Sequence, residues 1–508
     1  MQRDPIDVLI VGAGPTGLTL AVQLALLGVR IRIIDRSADR VHESRALALQ
    51  PRSLEVLAGL GVTDGLVAAG NRAVQVKLHL RDRVLSVPLF DLGLEDTEYP
   101  YLLFLSQAET ERLLEERLAG LGITVERQVE LTDLTQDAGS VTAVLRHAGT
   151  GPAADETVRA AYAVGCDGAR SAVRRIAGIP FKGSTYPQTF LLADAEADGL
   201  ERGAAHAFAS AKGILLFFPL GSPATWRLLA IKRTTAARPP GAPEATLDEV
   251  QAAVDDYTGG TVRLHDAAWI TEFRIHLRAA ARYRSGRLFL AGDAAHVHSP
   301  AGAQGMNTGI QDAVNLGWKL AQALAGTGGP NLLDTYQAER QPVGKAVLRL
   351  SNRPFRIATS LNPLVRFARS RVSPVVAPLA AKATWGRARL FRTISELGIG
   401  YRRSALSVNG PGPRVNWRQV RWGRVKSRHS GLRAGDRLPD TPVVYEGETT
   451  TLHRVLAGPA WHLLHWRLPD GGAAHYLVRP DGYIGYCYMG DNDEGAAGLA
   501  EYLNRWVG

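Results

Sequence analysis

Cysteine is nearly absent from this chain, which has 2 cysteines among its 508 residues. With only Cys166 and Cys487, no disulfide framework is available, and such scarcity is typical of proteins that stay in a reducing cytoplasm. Long apolar runs are missing too. The first short apolar run, Val8–Val11, ends at Gly12. No stretch reaches the about 18 apolar residues that a membrane-spanning helix needs. We therefore expect a cytoplasmic protein without a secretory signal or a membrane span.

The charge balance is only mildly one-sided. The chain has 59 Lys and Arg against 49 Asp and Glu, a net charge of +10, which favours anionic partners such as dinucleotides through long-range steering. Aromatic residues are not interleaved with basic ones except in one short run, so we expect no nucleic-acid partner. The composition is that of a globular protein, and the length predicts roughly two to four domains.

Common catalytic signatures are absent as well. The sequence has no Gly-x-Ser-x-Gly nucleophile elbow and no Walker loop. His296 and His298 have only Asp293 nearby as a further ligand, so we expect hydrogen-bonded loop histidines and no metal site.

The beginning of the chain carries a complete dinucleotide-binding pattern. A β-branched run predicts a buried parallel strand, Gly12-Ala-Gly14-Pro-Thr-Gly17 follows it, and a helix and a second strand ending at Asp35 complete the unit. Gly12 permits the tight turn, Gly14 lets backbone approach a pyrophosphate, and Gly17 allows close packing. Asp35 is suited to a ribose 2′-hydroxyl, which indicates NAD or FAD rather than NADP. The pattern does not choose between NAD and FAD.

A second glycine-acid turn follows a predicted strand at Gly165-Cys-Asp167-Gly168. Asp167 is placed to orient a cofactor or its phosphates, with positive charge from Arg170 and Arg174 nearby. The alternative is a solvated turn whose acid caps the following helix.

A third such turn, Gly292-Asp293, opens a glycine-rich connection that leads to a helix predicted from about Thr308. Gly302, Gly305 and Gly309 lack a Cβ, so a planar or anionic ligand can approach the backbone there.

Between these turns the pattern predicts an inserted antiparallel sheet. Its aromatic residues Phe217, Phe218 and Trp226 either line a substrate pocket or belong to the core. The predicted strands are residues 74–89 (a hairpin), 190–195, 205–209, 213–220, 226–232 and 269–276.

In this order and spacing, Gly12-x-Gly14-x-x-Gly17, Cys166-Asp167-Gly168 and Gly292-Asp293 resemble the FAD-dependent aromatic hydroxylases of the para-hydroxybenzoate hydroxylase fold. These are single-component flavoprotein monooxygenases, and the resemblance covers about residues 6–343. It implies FAD at the first site and NADPH or NADH as a transient co-substrate. The tail is similar to the C-terminal domain of aromatic polyketide hydroxylases.

The fold that this resemblance implies is α/β, with a Rossmann-type FAD-binding domain, an inserted antiparallel-sheet substrate domain and a thioredoxin-like C-terminal domain. No Cys-x-x-Cys is present, so we expect the last domain to be structural or to form a homodimer, not to be redox-active. The predicted boundaries are 1–72, 101–180 and 282–400 for the FAD-binding domain, 73–100 and 181–281 for the substrate domain, 401–430 for a linker and 431–508 for the thioredoxin-like domain.

Carried over by position, the resemblance implies that FAD is contacted by Gly12, Gly14, Thr16, Gly17, Asp35, Arg36, Arg45, Gln107, Val129, Asp167, Asp293, Gly305, Met306 and Asn307. It places Asp293 on the ribityl chain and the backbone of Met306 and Asn307 at the isoalloxazine edge. Arg45 and Pro300 are implied as the catalytic residues, with Pro300 beside the reactive flavin carbon.

The implied reaction is reduction of FAD by NAD(P)H, formation of a flavin C4a-hydroperoxide with O₂, and oxygen transfer to an electron-rich phenolic ring, as in a polycyclic polyketide. Baeyer–Villiger oxygenation of a polyketide ketone and antibiotic-inactivating hydroxylation stay open. A flavin halogenase needs a Trp-x-Trp-x-Ile-Pro motif, which Trp417 and Trp422 do not form. A non-catalytic FAD-fold binding protein is disfavoured by the intact stretch 300–307.

Overall fold

A computed structural model of the chain describes residues 6–40, 46–73, 75–80, 83–87, 94–148, 154–210, 213–220, 224–232, 245–299, 304–360, 362, 391–411, 431–467 and 472–508. Arg45, Pro300 and Gly302, together with residues 412–430 of the predicted linker, lie outside the described residues. Within these ranges no helix combines the length and the apolar character that a membrane span requires.

The strands, in chain order, are β1 (Ile6–Val11), β2 (Ile31–Asp35), β3 (Ala48–Leu49), β4 (Asn71–Ala73), β5 (Val76–Leu80), β6 (Arg83–Val87), β7 (Leu102–Phe104), β8 (Glu126–Arg127), β9 (Val129–Gln136), β10 (Val141–His147), β11 (Ala154–Gly165), β12 (Phe181–Asp198), β13 (Ala205–Ser210), β14 (Gly213–Pro219), β15 (Trp226–Ile231), β16 (Arg263–Ala280), β17 (Arg284–Ser285), β18 (Leu288–Leu290), β19 (His296–Val297), β20 (Val408–Asn409), β21 (Pro442–Tyr445), β22 (Glu448–Thr451), β23 (His462–Arg467), β24 (Ala473–Val478) and β25 (Ile484–Met489).

The α-helices are α1 (Pro15–Leu26), α2 (Pro51–Ala58), α3 (Thr63–Ala69), α4 (Gln107–Ala119), α5 (Ala172–Ile176), α6 (Leu247–Thr258), α7 (Gln304–Ala325), α8 (Asp334–Thr359), α9 (Leu452–Val455) and α10 (Asp493–Trp506), and Gly292–Ala294 form a 3₁₀ turn.

The first sheet brings the three glycine turns to one edge. Its central order is β18-β11-β1-β2, and these strands run parallel. Val11 of β1 pairs with Gly165 of β11, which in turn pairs with Leu290 of β18. Val11 immediately precedes the first turn, Gly165 opens the second, and Leu290 lies two residues before Gly292 of the third. Carboxyl ends of parallel strands share an edge. The predicted α/β nucleotide-binding architecture is therefore present.

The second sheet contains eight strands in the order β19-β16-β12-β15-β14-β13-β5-β6. The prediction of one sheet that includes the early hairpin is confirmed, but a fully antiparallel arrangement is wrong, because β5 and β13 pair in parallel. The hairpin comes from an earlier chain segment, so no tight turn forces it to run opposite to β13.

The two faces of this sheet have different neighbours. Leu191, Phe217, Trp226 and Leu228 form a core with residues of α6 on one face. On the other, Phe190, Leu192, Leu229 and Ile275 pack with Leu348 of α8. Phe217 and Trp226 are thus core residues beneath α6, which decides the open alternative for these two. The third residue, Phe218, is partly buried and stacks on Phe104 in a different cluster.

The chain beyond α8 forms a smaller sheet in the order β20-β25-β24-β23, and α10 covers it. Trp318 of α7 is buried in the same cluster as Tyr486, Tyr502 and Trp506. The C-terminal sheet therefore packs directly on α7.

Helix α7 begins at Gln304, where the sequence predicted a start near Thr308. The side chain of Asn307 in its first turns is bonded to distant backbone and does not compete for the helix backbone. Asn307 Oδ1 accepts from Gln50 N at 2.8 Å, and Asn307 Nδ2 donates to Ala48 O at 2.9 Å. These distant partners are invisible to a local sequence pattern, which explains the late predicted start.

Candidate active site

The loop after β1 is built against the loop after β11. Gly12 has φ +104°, and a Cβ there would lie 2.4 Å from Cys166 O. A Cβ on Gly17 would lie 1.9 Å from Gly12 O. Only glycine fits either position, because real Cβ atoms do not approach backbone so closely. Cys166 is buried with a raised thiol pKa caused by that burial, in keeping with its predicted role as a small core residue.

Thr16 joins this loop to the third turn. Its Oγ1 would lie 2.5 Å from a Cβ on Gly292 and 2.4 Å from a Cβ on Gly309. The hydroxyl thus fills the space that side chains at both glycines would need. Gly309 serves this close packing, whereas the sequence predicted that it opens backbone toward a ligand.

Asp35 stands at the end of β2 and holds the neighbouring backbone. Its Oδ2 accepts from Ala13 N at 2.8 Å and its Oδ1 from Ser37 N at 2.8 Å. A carboxylate offers about four acceptor positions, so these bonds leave capacity for a ribose hydroxyl. Arg36 is exposed next to it.

The start of α4 faces the same loop. Gln107 Nε2 donates to Glu111 Oε1 at 2.8 Å, and that oxygen lies 3.8 Å from where a Cβ on Gly14 would be. The helix cap is Ser106, whose side chain accepts from Glu109 N. Gln107 is therefore not a helix cap, which was the alternative to a cofactor contact.

Asp167 caps the helix that follows the second turn. Its Oδ2 accepts from Ala172 N at 2.6 Å and Val173 N at 3.2 Å, while its buried Oδ1 has no hydrogen-bond partner among the described residues. Burial raises the pKa of this carboxyl. Asp167 therefore helps to cap helix α5 through Oδ2, while Oδ1 has no hydrogen-bond partner among the described residues.

The arginines after Asp167 differ in role. Arg174 donates to Ala294 O at 2.8 Å and to Ala169 O at 2.7 Å, which ties the second turn to the third. Arg170 is exposed.

The residues in and after the third turn that were predicted to contact FAD differ in how far they are exposed. Asp293 is exposed, and a Cβ on Gly305 would meet nothing within 4 Å. Met306 packs partly against the core, while the Asn307 side chain is used internally, leaving its backbone available. Val129 is 4% exposed in the core at the start of β9.

These residues fit a dinucleotide. Helix α1 has Gly14 as N-cap without a side-chain cap, a proline in its first turn and no acid there. Its uncapped N–H groups and positive dipole end favour a pyrophosphate. With the acceptors of Asp35 and Asp167, this edge offers both the donors and the acceptors that a dinucleotide such as FAD requires.

The sequence missed a buried network beneath the third turn. Asp312 of α7 bonds to His296 Nε2 at 2.6 Å, to Arg340 Nε at 2.6 Å and to Gly292 N at 3.1 Å. Burial alone would raise the pKa of Asp312, but His296 and Arg340 together lower it. His296 also contacts His298 at 2.7 Å. The described part of the chain contains no group of three metal-binding side chains, and His296 lies in strand β19, not in a loop.

Comparison with known proteins agrees with this geometry. A family model described as FAD binding domain matches residues 5–351. The 6-methylpretetramide 4-monooxygenase of Streptomyces rimosus is 38% identical over 94% of this chain and 82% of its own length.

The chain belongs to the FAD-binding monooxygenases. The family expected from the three glycine turns is thereby confirmed, as is FAD as its cofactor. NAD(P)H is the reductant typical of the family.

The similarity of this monooxygenase to its relatives extends over the full chain. The 12-dehydrotetracycline 5-monooxygenase/anhydrotetracycline 6-monooxygenase of Streptomyces rimosus subsp. rimosus is 35% identical over 99% of both chains. The solved structure of OxyS anhydrotetracycline hydroxylase from Streptomyces rimosus has a TM-score of 0.74 and 32% identity, again over 99% of both. CabE, an aromatic hydroxylase from angucycline biosynthesis, has a TM-score of 0.75 and 29% identity over the same share.

A second missed feature joins the second sheet of the monooxygenase to the segment before β3. Arg227 of β15 bonds to both oxygens of Asp194 at 2.6 Å, and Trp269 Nε1 donates to Asp194 at 2.8 Å. Arg227 also donates to Ala46 O at 2.8 Å. This fully buried pair fixes the sheet against the segment that precedes β3.

A third missed feature is a cluster of buried charges between α7, α8 and the C-terminal sheet. Glu339 accepts from Lys319 at 2.8 Å and from both terminal nitrogens of Arg479, which also binds Asp481. All four are at most 4% exposed. Burial lowers the pKa of Lys319 to about 8, whereas its cationic neighbours hold the pKa of Glu339 low against the effect of burial. The sequence signal for this cluster was a polar residue, Lys319, between the apolar residues Trp318 and Leu320 of α7.

Proposed function

We propose that this monooxygenase hydroxylates a phenolic ring of a polycyclic aromatic polyketide. The overall reaction consumes the aromatic substrate, NAD(P)H, a proton and O₂, and it yields the hydroxylated product, NAD(P)⁺ and water. The observation that carries the proposal is the match over 99% of both chains to OxyS anhydrotetracycline hydroxylase. Because the match includes the second sheet as well as the FAD-binding core, it covers the part that we assign to substrate binding.

The second sheet supports a broad, flat substrate. Its face away from α6 carries Phe190, Leu192 and Leu229 and is turned toward α8. Arg227 on this face reaches Ala46, so the face lies next to the FAD-binding core. Apolar and aromatic walls with few polar groups suit a fused-ring ligand.

We assign the FAD-binding residues as the sequence predicted them. The N-terminus of α1 and the loop from Gly12 to Gly17, with Thr16, hold the pyrophosphate. Asp35 holds the ribose, and the remaining contacts are Arg36, Gln107, Val129, Asp167, Asp293, Gly305, Met306 and Asn307. When bound, FAD supplies hydride acceptance and O₂ activation.

The chain itself supplies orientation and a dry site. In this proposal the second sheet and α8 would exclude water from the bound ring, which strengthens electrostatic interactions in such a site. Arg45 and Pro300 stay predicted catalytic residues at the flavin.

The experiment uses purified FAD-loaded enzyme with NADPH or NADH, ¹⁸O₂ and a panel of tetracyclic and angular polyphenols. We expect substrate-stimulated NAD(P)H oxidation and a product that gains one labelled oxygen as a ring hydroxyl. Label within a new ester would instead show Baeyer–Villiger oxygenation. If no panel member stimulates NAD(P)H oxidation although FAD is bound, the proposed substrate class is wrong.

We further propose the domain boundaries given above, a thioredoxin-like fold for residues 431–508 and a cytoplasmic location. The lack of a Cys-x-x-Cys motif supports a structural role for that last domain. A homodimer formed through it would appear in light scattering as twice the 54.7 kDa chain mass, and a monomer mass at high concentration would exclude that role.

A further inference from the structure

Glu396 is a buried acid that the reaction does not use. It is 1% exposed and forms no ion pair with any described residue. Its backbone has φ +61°, a left-handed conformation that side-chain-bearing residues rarely adopt. Such conformations persist only where the surrounding contacts hold them, and they concentrate at functional sites.

The carboxyl of Glu396 contacts the first turns of α7. Oε2 accepts a hydrogen bond from Gln311 Nε2, and Oε1 lies 3.1 Å from Thr308 Oγ1. Thr308 Oγ1 also lies 2.8 Å from Gln304 O, the carbonyl at the start of the helix. A chain of polar contacts therefore runs from Glu396 to the residue that opens α7.

The number of protons available in this series of contacts bears on the protonation state of Glu396. A threonine hydroxyl has one proton and a backbone carbonyl has none. Thr308 Oγ1 is within hydrogen-bond distance of both Gln304 O and Glu396 Oε1, and its single proton forms a full hydrogen bond with only one of them. With ionised Glu396 the two acceptors share that proton, whereas with protonated Glu396 each contact has a proton of its own.

The surroundings favour this neutral form. The charged groups that act on Glu396 are Arg340 of α8 and Asp312 of α7, and they are bonded to each other at 2.6 Å. Arg340 additionally donates to Tyr401 and to Thr308 O. Burial raises the pKa of Glu396 from 4.5 to about 7. The stabilisation from its proton is complete below about pH 4.5 and is lost as the pH rises through about 7.

We propose that Glu396 is a positioning residue that donates a hydrogen bond to Thr308 and thereby fixes the first turn of α7 for FAD. That turn contains Met306 and Asn307, the backbone assigned to the flavin edge. Loss of the proton leaves Thr308 with two acceptors for one hydrogen, so the turn is held less firmly at alkaline pH. The inference rests on FAD binding and not on the substrate assigned above.

The test is FAD affinity of the apoprotein measured by flavin fluorescence from pH 5.5 to 8.5. In Glu396→Gln, the amide nitrogen donates to Thr308 and the amide oxygen accepts from Gln311, which reproduces the protonated acid at every pH. We expect wild-type affinity to fall by about 3- to 10-fold relative to this variant between the two limits, the effect of one hydrogen bond. Glu116→Gln, on the exposed side of α4, is the matched control and should follow the wild-type profile.

Two further measurements keep the outcome decisive. Thr308→Val removes the intermediate hydroxyl and should give weak binding with no additional loss at alkaline pH. Infrared spectra should show a protonated-carboxyl band at pH 5.5 that is absent from Glu396→Gln. The proposal is overturned if Glu396→Gln binds FAD weakly at every pH, if its affinity tracks the wild type throughout, or if Thr308→Val keeps the wild-type profile.

Discussion

Substitution of Gly309 by alanine tests whether Thr16 locks helix α7 onto the nucleotide loop. Within a helix, glycine to alanine is favourable by about 1 kcal/mol on propensity alone. Here, however, the new Cβ would lie 2.4 Å from Thr16 Oγ1 and 3.2 Å from Gly292 Cα. Overpacking of this kind costs about 1–3 kcal/mol, so the contact should outweigh the propensity. We expect a net destabilisation of about 1 kcal/mol.

The same substitution should change sign when Thr16 is alanine. Thr16→Ala removes Oγ1, and the nearest Thr16 atom to the new methyl is then Cβ at 3.7 Å. The propensity gain remains, so Gly309→Ala should become neutral or stabilising in that background. The expected coupling energy is about 1–2 kcal/mol, within the range for residues in contact.

Urea unfolding of the four proteins in the cycle measures this coupling, provided that the slopes agree. FAD affinity is recorded in parallel, because the contact joins the loop proposed to bind the pyrophosphate to the helix proposed to bind the flavin edge. Additive effects of the two substitutions would refute the reasoning. Stabilisation by Gly309→Ala alone would show that the helix moves away from Thr16 at little cost.

Three other outcomes follow from the same structure. Arg479→Met leaves Glu339 buried with an incomplete set of partners, so urea unfolding should show a loss of about 3–5 kcal/mol; a loss below about 1 kcal/mol would mean that water reaches the cluster. Asp293→Ala should weaken FAD retention on dialysis, and unchanged affinity would count against its ribityl contact. Gly12→Ala should abolish FAD binding, because its Cβ would lie 2.4 Å from backbone of the second turn; near-normal binding would mean that the loops separate easily.

Local patterns predicted the parts of the fold that depend on neighbouring residues. The β-branched run before Gly12 and the alternation around residues 76–87 gave a parallel strand and a hairpin, and both are present. Because β1, β11 and β18 pair in parallel, their carboxyl ends lie at one edge of the sheet, and the three turns that follow them lie there together. This is why the family was recognisable from glycine and aspartate positions alone.

Long-range partners explain what the sequence did not show. Glu339 and Arg479 are 140 positions apart, and nothing near either residue identifies the other. The direction in which β5 joins β13 and the extra first turn of α7 likewise depend on distant segments. Glu396 was missed for the same reason, since its neighbours in sequence do not touch its carboxyl.

The buried charge cluster between α7, α8 and the C-terminal sheet has a consequence for synthesis of the chain. Glu339 leaves the ribosome 140 residues before Arg479, which at about 5–20 residues per second is a delay of roughly 7–28 s. During this time Lys319 and Glu339 lack the residues that complete their cluster, and α7 lacks the sheet that covers Trp318. The packing of α7, the helix proposed to line the flavin, is therefore completed only when the C-terminal sheet has docked, and we expect FAD to bind stably only after that step.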